Sequence, residues 1–259
     1  MKRILAILLS MMMLAASLSG CSRKDPREIY DEAVKKNAEL TELEASTVTD
    51  MKISQGEEIM NMKTTMDMKM KGVNTEQLTY TAEGTTEVLG QTMDMSMYYA
   101  DGYYYMETMG QKIKYPMDLQ QMIQQIQQST GGMAADSSYL SEIEAEKDGD
   151  SRILKYTLDG EKMDAYMQDV LKSVNMPGLE EAGISYQFQS ASGESVVNKE
   201  GYYTSTKMKL VMDMTAQGET IRLDMDSDIV YHNPGQAVEI TVPDLEGYTE
   251  IDPAAMGLQ

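Results

Sequence analysis

The sequence has no tryptophan, one phenylalanine (Phe188), one histidine (His232) and one cysteine (Cys21) in 259 residues. A single thiol cannot close an intrachain disulfide, so the fold must depend on its core. One imidazole and one thiol supply neither a two-histidine nor a Cys/His zinc site, and no Ser–His–Asp or Cys–His arrangement is expected. There is no Gly-x-Ser-x-Gly elbow, no phosphate-cradling glycine loop and no dinucleotide fingerprint. A pair of carboxylates could still hydrolyse a glycoside, but the chain has no tryptophan for the aromatic platforms that sugar sites use. The expectation is a protein that is not an enzyme and needs no cofactor and no metal. Basic residues are also scarce, with 22 Lys+Arg against 42 Asp+Glu and a net charge of −20. That balance excludes nucleic acid as a partner and disfavours spreading on an anionic membrane.

Methionine (26) and tyrosine (16) are what the chain has in excess. Methionine is unbranched and polarizable, so it suits apolar surfaces that must adapt their shape.

The N-terminus carries Lys2 and Arg3, then an apolar run from Ile4 to Leu18 broken only by Ser10 and Ser17. The run is too short to span a bilayer and ends too abruptly. It closes on Leu18-Ser19-Gly20-Cys21, which resembles the lipobox of bacterial lipoproteins. Small residues let a peptidase grip the extended chain, and the cysteine sulfur accepts a diacylglycerol thioether. The resemblance implies a signal peptide over 1–20, with Leu18, Ser19 and Gly20 flanking the cut. Cys21 would be lipidated, 21–25 would be a short tether, and 26–259 a single domain held at the extracytoplasmic face of the cell membrane. The tether would span on the order of 15 Å at about 3.5 Å per residue. Arg23, Lys24 and Arg27 read either as a basic collar at the headgroups or as solvated charges.

Asp25-Pro26 is a helix start, and the apolar side of Ile29, Tyr30, Ala33, Val34 and Leu40 carries the expected helix to about Glu44. The period then changes to two. Met60, Met62, Met66, Met68 and Met70 recur at even positions, and Met93, Met95 and Met97 at odd ones, each set marking one face of a strand. Asp101-Gly102 between tyrosines predicts a tight hairpin. Leu119, Met122, Ile123 and Ile126 then sit at helical spacing, followed by a loop over Ser129–Ser138. A strand over Ile153–Leu158 leads to a second amphipathic helix with Met163, Tyr166, Met167, Val170, Leu171 and Val174 on one side. Beyond Ile184 the alternation returns in Met208, Leu210, Met212 and Met214, in Ile221, Leu223 and Met225, and in Val238, Ile240 and Val242. Turns are expected at Ser192-Gly193, Glu200-Gly201, Gln217-Gly218 and Asn233-Pro234-Gly235. Asp224-Met225-Asp226-Ser227-Asp228 imitates a calcium loop but lacks its glycine and terminal glutamate, so the three Asp are expected on the solvent side of a strand.

These elements define an α+β fold: long antiparallel strands forming an open half-barrel sheet, covered on its concave face by amphipathic helices. With the helix start Ile29-Tyr30-Asp31-Glu32-Ala33, the segment Tyr156-Thr157-Leu158-Asp159-Gly160 and the ending Asn233-Pro234-Gly235 to Val242-Pro243 with Tyr248, the mature chain resembles an uncharacterised lipoprotein family of Gram-positive bacteria. That family is similar to the lipoprotein carriers and the mycobacterial lipid-binding lipoproteins. The resemblance implies a lipid or other apolar ligand held between sheet and helices. The candidate ligand face is Met66, Met68, Met70, Met93, Met95, Met97, Met208, Met212, Met214 and Met225. The candidate lids are Leu119, Met122, Ile123 and Ile126 on one helix and Met163, Met167, Val170 and Leu171 on the other. Two other readings of the methionines stay open: a core filled only by its own side chains, in an envelope structural or interaction protein, and a soft thioether site for Cu(I).

Overall fold

The computed structural model describes residues 24–73, 75, 77–118, 137–165, 185–216 and 218–252. The lipobox residues Leu18, Ser19, Gly20 and Cys21 lie outside the described residues. So do the lid residues Leu119, Met122, Ile123, Ile126, Met167, Val170 and Leu171, and most of the Ser129–Ser138 segment.

Helix α1 (Pro26–Ala38) starts as its first residues dictate: Asp25 accepts a hydrogen bond from the Arg27 amide at 2.9 Å, and Pro26 occupies the first turn. It stops well short of the expected Glu44. The residues from Glu42 onward form strand β1 instead, because Thr47, Val48, Thr49 and Ile53 are β-branched and favour the extended chain. Arg27 is not part of a free basic collar. Its guanidinium donates to the carbonyls of Ser137, Leu140 and Ser141, and Lys24 pairs with Glu32.

The strands are β1 (Glu42–Gln55), β2 (Glu58–Lys71), β3 (Thr79–Val88), β4 (Gln91–Ala100), β5 (Tyr103–Thr108), β6 (Gln111–Pro116), β7 (Leu140–Asp148), β8 (Ser151–Leu158), β9 (Ser185–Val197), β10 (Tyr203–Ala216), β11 (Glu219–Tyr231) and β12 (Thr249–Glu250). They form one open sheet in the order β12-β6-β5-β4-β3-β2-β1-β11-β10-β9-β8-β7. Two meanders, β1–β6 and β7–β11, are joined edge to edge by the antiparallel β1–β11 pair. Alternation gives every long strand an apolar and a polar side. On the polar side, Lys63–Asp50, Lys69–Glu44, Lys207–Asp228, Lys209–Asp226 and Arg222–Asp213 are all direct register partners. The aspartates at 224, 226 and 228 therefore belong to strand β11, not to a calcium loop.

Two expectations are overturned by local packing. Ser192-Gly193 is not a turn but the middle of β9. A Cβ on Gly193 would lie 2.3 Å from the Tyr156 ring, so glycine is there to let that ring lie across the strand. Val238, Ile240 and Val242 do not form a ladder strand. Residues 236–248 run as a strap over the polar side, where the Val238 amide donates to Glu42 and the Tyr248 ring meets Tyr105 edge-on at 5.3 Å. The strap then adds β12 parallel to edge strand β6 and tucks Ile251 into the core of the other side.

The turns fall at two ends of the sheet. At one end lie the β2–β3, β4–β5, β7–β8 and β9–β10 turns, and Asp101 (φ 52°) and Gly102 (φ 79°) adopt the left-handed pair that a tight hairpin needs. At the other lie β1–β2, β3–β4, β5–β6 and β10–β11. There Leu89 (φ 52°) and Met109 (φ 50°) take the position that Asp holds at the first end, before Gly90 and Gly110. The left-handed conformation costs a residue with a bulky side chain about 1 kcal/mol or more.

Candidate functional site

The register brings all ten candidate methionines to one face. Met66 and Met95 flank Gly84 of β3, Met68 and Met97 flank Ala82, and Met70 lies in the row Tyr80, Tyr99, Tyr104 and Tyr115. Met93 continues that face opposite Thr86. Across the β1–β11 junction, Met225 pairs with Met51 and Leu210, Met212 with Leu223, Met214 with Ile221 and Met208 with Ser227. Gly84 is required at its place, because a Cβ there would meet the Thr65 carbonyl oxygen at 2.1 Å.

The face is filled unevenly. Near the polar turns, Met68, Met70, Tyr80, Ala82, Tyr99, Tyr104, Tyr115 and Ala45 form a buried cluster. Tyr104 and Tyr115 pack at 5.4 Å, and burial pushes the Tyr80 phenol up to about 12 and raises that of Tyr104 as well. On the second meander α1 lays Tyr30 and Ala33 on Leu154, Leu158, Phe188 and Leu210, with Tyr30 edge-on to Tyr156 at 5.3 Å. Met163, in the helical turn over 160–165, is fully buried in the same cluster, so one residue of the second expected lid lies against the sheet. Beneath α1 a chain of hydroxyls runs through Tyr156, Ser195, Thr206 and Tyr231, with Ser195 and Thr206 at 3.1 Å.

Towards the apolar turns the same face belongs to neither cluster. Met62, Met93, Met95 and Met214 are half-buried there with Ile53, Ile221 and Leu223, and Met66, Met97, Met212 and Met225 line its inner border. Met51, which period-two spacing did not single out, sits between Met62 and Met225 and makes a row of three thioethers on adjacent strands. Thr47 lies between Met66 and Ile229, and its hydroxyl is buried without a hydrogen-bond partner among the described residues.

The polar side carries two clefts. One of about 850 Å³ at the apolar-turn end is lined by Asp50, Lys52, Lys63, Glu87 and Asp224 along with Met51 and Met62. The other, of about 440 Å³, lies under the strap between Glu44, Asp67, Glu83 and Glu239. Neither is an apolar void between sheet and helix. His232 does meet a serine and an aspartate: Nε2 lies 2.8 Å from Ser46 Oγ, which donates to Asp67. The hydroxyl stands between imidazole and carboxylate, whereas a triad needs the imidazole in the middle. Among the described residues no cluster of His, Cys, Asp and Glu could hold a metal ion, and no helix is long and apolar enough to cross a membrane.

The fold is thus an open, almost wholly antiparallel sheet with one methionine-rich face. The chain belongs to a family of unknown function, DUF6612, whose model matches residues 25–245. No curated protein matches it in sequence. Among solved structures it is similar to the Mycobacterium tuberculosis lipoprotein LppX, at 9% identity and a TM-score of 0.45 over 85% of this chain and 100% of that one. It is similar to LprF from Mycobacterium bovis at 10% identity and a TM-score of 0.41, over 86% of this chain and 98% of that one. A LolA superfamily protein from Nitrosomonas europaea matches at 10% identity and a TM-score of 0.25, over 80% and 94%.

Proposed function

We propose that this protein is a lipid-anchored lipoprotein of the extracytoplasmic membrane face that binds a lipid or other apolar molecule on its methionine face. Residues 1–20 are its signal peptide, Cys21 bears the lipid after cleavage beside Leu18, Ser19 and Gly20, and 26–259 fold as one domain. The stripes Leu119, Met122, Ile123, Ile126 and Met163, Met167, Val170, Leu171 serve as lids over the bound molecule. The observation that carries this reading is the group of half-buried thioethers, Met51, Met62, Met93, Met95 and Met214, that share the face and belong to neither buried cluster. Such side chains change rotamer at little cost and can follow an acyl chain. A polar atom of the ligand would satisfy the Thr47 hydroxyl, whose burial unpaired costs about 1–3 kcal/mol.

The test is mass spectrometry of an organic extract of the protein purified from its native host. An acyl lipid recovered in about equal amount to the protein is the expected result. An extract without lipid, from a protein that also takes up no acyl probe, refutes the reading. The anchor is tested separately: Cys21→Ser should release the chain from membranes or block its maturation. A second reading is an envelope structural protein whose face is filled by itself. It is favoured by the tyrosine row, where the sheet already closes on its own side chains.

A further inference from the structure

Among the described residues six large apolar side chains are exposed, and four of them sit at one end of the sheet. Ile59 (56% exposed) and Met60 follow the β1–β2 turn, Leu89 (78%) forms the β3–β4 turn and Met109 (71%) forms the β5–β6 turn. These are three successive tips of the first meander. Two of them place Leu and Met at φ near 50°, the backbone that Asp101 adopts in the corresponding β4–β5 turn at the opposite end. Turn formation alone selects Asn, Asp or Gly at that position. Leucine and methionine there are mostly exposed and carry strain, so packing within the chain does not account for them. The turns of the opposite end are acidic, with Asp101, Asp148, Asp150 and Glu200.

We propose that the β1–β2, β3–β4 and β5–β6 tips dip into the interfacial layer of a lipid bilayer and seat the open methionine end of the sheet on the membrane. Two observations choose lipid as the occupant. The tips adjoin the outer end of the half-buried methionine field through Met60, Met62 and Met93, and the first polar groups further in, the hydroxyls of Ser227, Thr49, Thr64 and Thr86, include bonded pairs, Thr49 with Ser227 and Thr64 with Thr86. Helix α1 also points its N-terminus to this end: Asn37 bonds Gly201 and Tyr203 at the acidic end, while Arg27 holds the carbonyls of Leu140 and Ser141 towards the other. A lipid a few residues before Pro26 would therefore bring the apolar tips to the membrane. This second point rests on the anchor in the proposed function. Gly90-Gln91 and Gly110-Gln111 are uncharged, and Glu57 and Glu58 beside Ile59 oppose anionic headgroups, so the contact is apolar and suits zwitterionic lipid.

The absence of tryptophan makes the test direct. In the full, processed chain Leu89→Trp, Met109→Trp and Asp101→Trp each install the sole tryptophan. Each is mixed with an excess of phosphatidylcholine vesicles, with and without bromine on the acyl chains. Flotation of the vesicles reports the anchor, and tryptophan emission reports the tips, whether or not the chain floats. The expected result is a blue shift and bromine quenching at positions 89 and 109, and neither at 101. Emission at 89 and 109 that stays water-like overturns the proposal even if the protein floats. A blue shift without bromine quenching also overturns it, because the tips then touch protein, a second copy included. A variant whose circular dichroism departs from the parent is replaced by Leu89→Asn with Met109→Asn, which suits the turn. That pair should keep the fold and lose the contact, read as weaker protection of the tip amides from exchange when vesicles are added. Unchanged protection contradicts the proposal.

Discussion

The two ends of the apolar face share one sheet and are built from opposite materials. Near the acidic turns, Tyr80, Tyr99, Tyr104 and Tyr115 stand side by side on four strands and bury one another. Near the apolar turns, Met62, Met93, Met95 and Met214 stand half-buried beside aliphatic residues. A tyrosine ring has two side-chain torsions and fits one place, while a methionine has three and fits several. The contrast separates a part of the face that the described residues bury from a part that they leave half-buried, and substitutions should treat the two ends differently.

The largest effect is expected in the tyrosine row. Tyr104→Ala removes a ring packed against Tyr115 and should cost about 3–5 kcal/mol, read as the urea midpoint. Alkaline titration comes next. Burial raises the Tyr80 pKa from 10.0 to about 12, so the folded chain holds this proton more tightly than the unfolded one. Its contribution is intact below pH 10 and is lost as the pH climbs to about 12, about 3 kcal/mol in all. Tyrosinate absorbance should therefore rise together with loss of circular dichroism in that window. Gly193→Ala, which drives a methyl into the Tyr156 ring beneath α1, should cost about 1–3 kcal/mol by the same urea measurement. In the methionine field, Met62→Leu with Met95→Leu nearly conserves volume and should shift stability by less than about 1.5 kcal/mol. A larger loss would place these residues with the tyrosines as finished core. Last, Leu89→Asn with Met109→Asn relieves two strained turns and should raise stability by up to about 1 kcal/mol per site in calorimetry. A loss there would mean the two side chains serve the fold itself.

The faces of the strands were legible because methionine alternates so regularly. Period two in Met66–Met70, Met93–Met97 and Met208–Met214 put each residue on the side where the register has it. Strand neighbours were not legible, since spacing within a strand does not say that Gly84 and Ala82 separate the methionines of β2 and β4. The join of β1 to β11 was likewise hidden, and with it the row Met62, Met51 and Met225. Helix α1 is shorter than its apolar side suggests, because that side continues to Leu40 while the dense β-branched run that selects a strand lies beyond it in Thr47, Val48, Thr49 and Ile53. Val238, Ile240 and Val242 alternate like a strand but bind the polar side as a strap, and Ser192-Gly193 signals a turn while serving a tyrosine ring. The exposed tips carried a signal that was available, Leu-Gly and Met-Gly where Asp-Gly would make the turn, and it pointed to a surface, not to the core.

The central claim is that the methionine end binds an apolar molecule while the tyrosine end does not. Titration of the delipidated, processed protein with a fluorescent fatty-acyl probe tests it most directly, comparing the parent with the Met62→Leu, Met95→Leu pair. Saturable uptake by the parent at tens of micromolar or below, altered in the pair at nearly unchanged stability, is the predicted result. No uptake by the parent in that range would contradict the claim and leave a sheet whose methionines serve only its own packing.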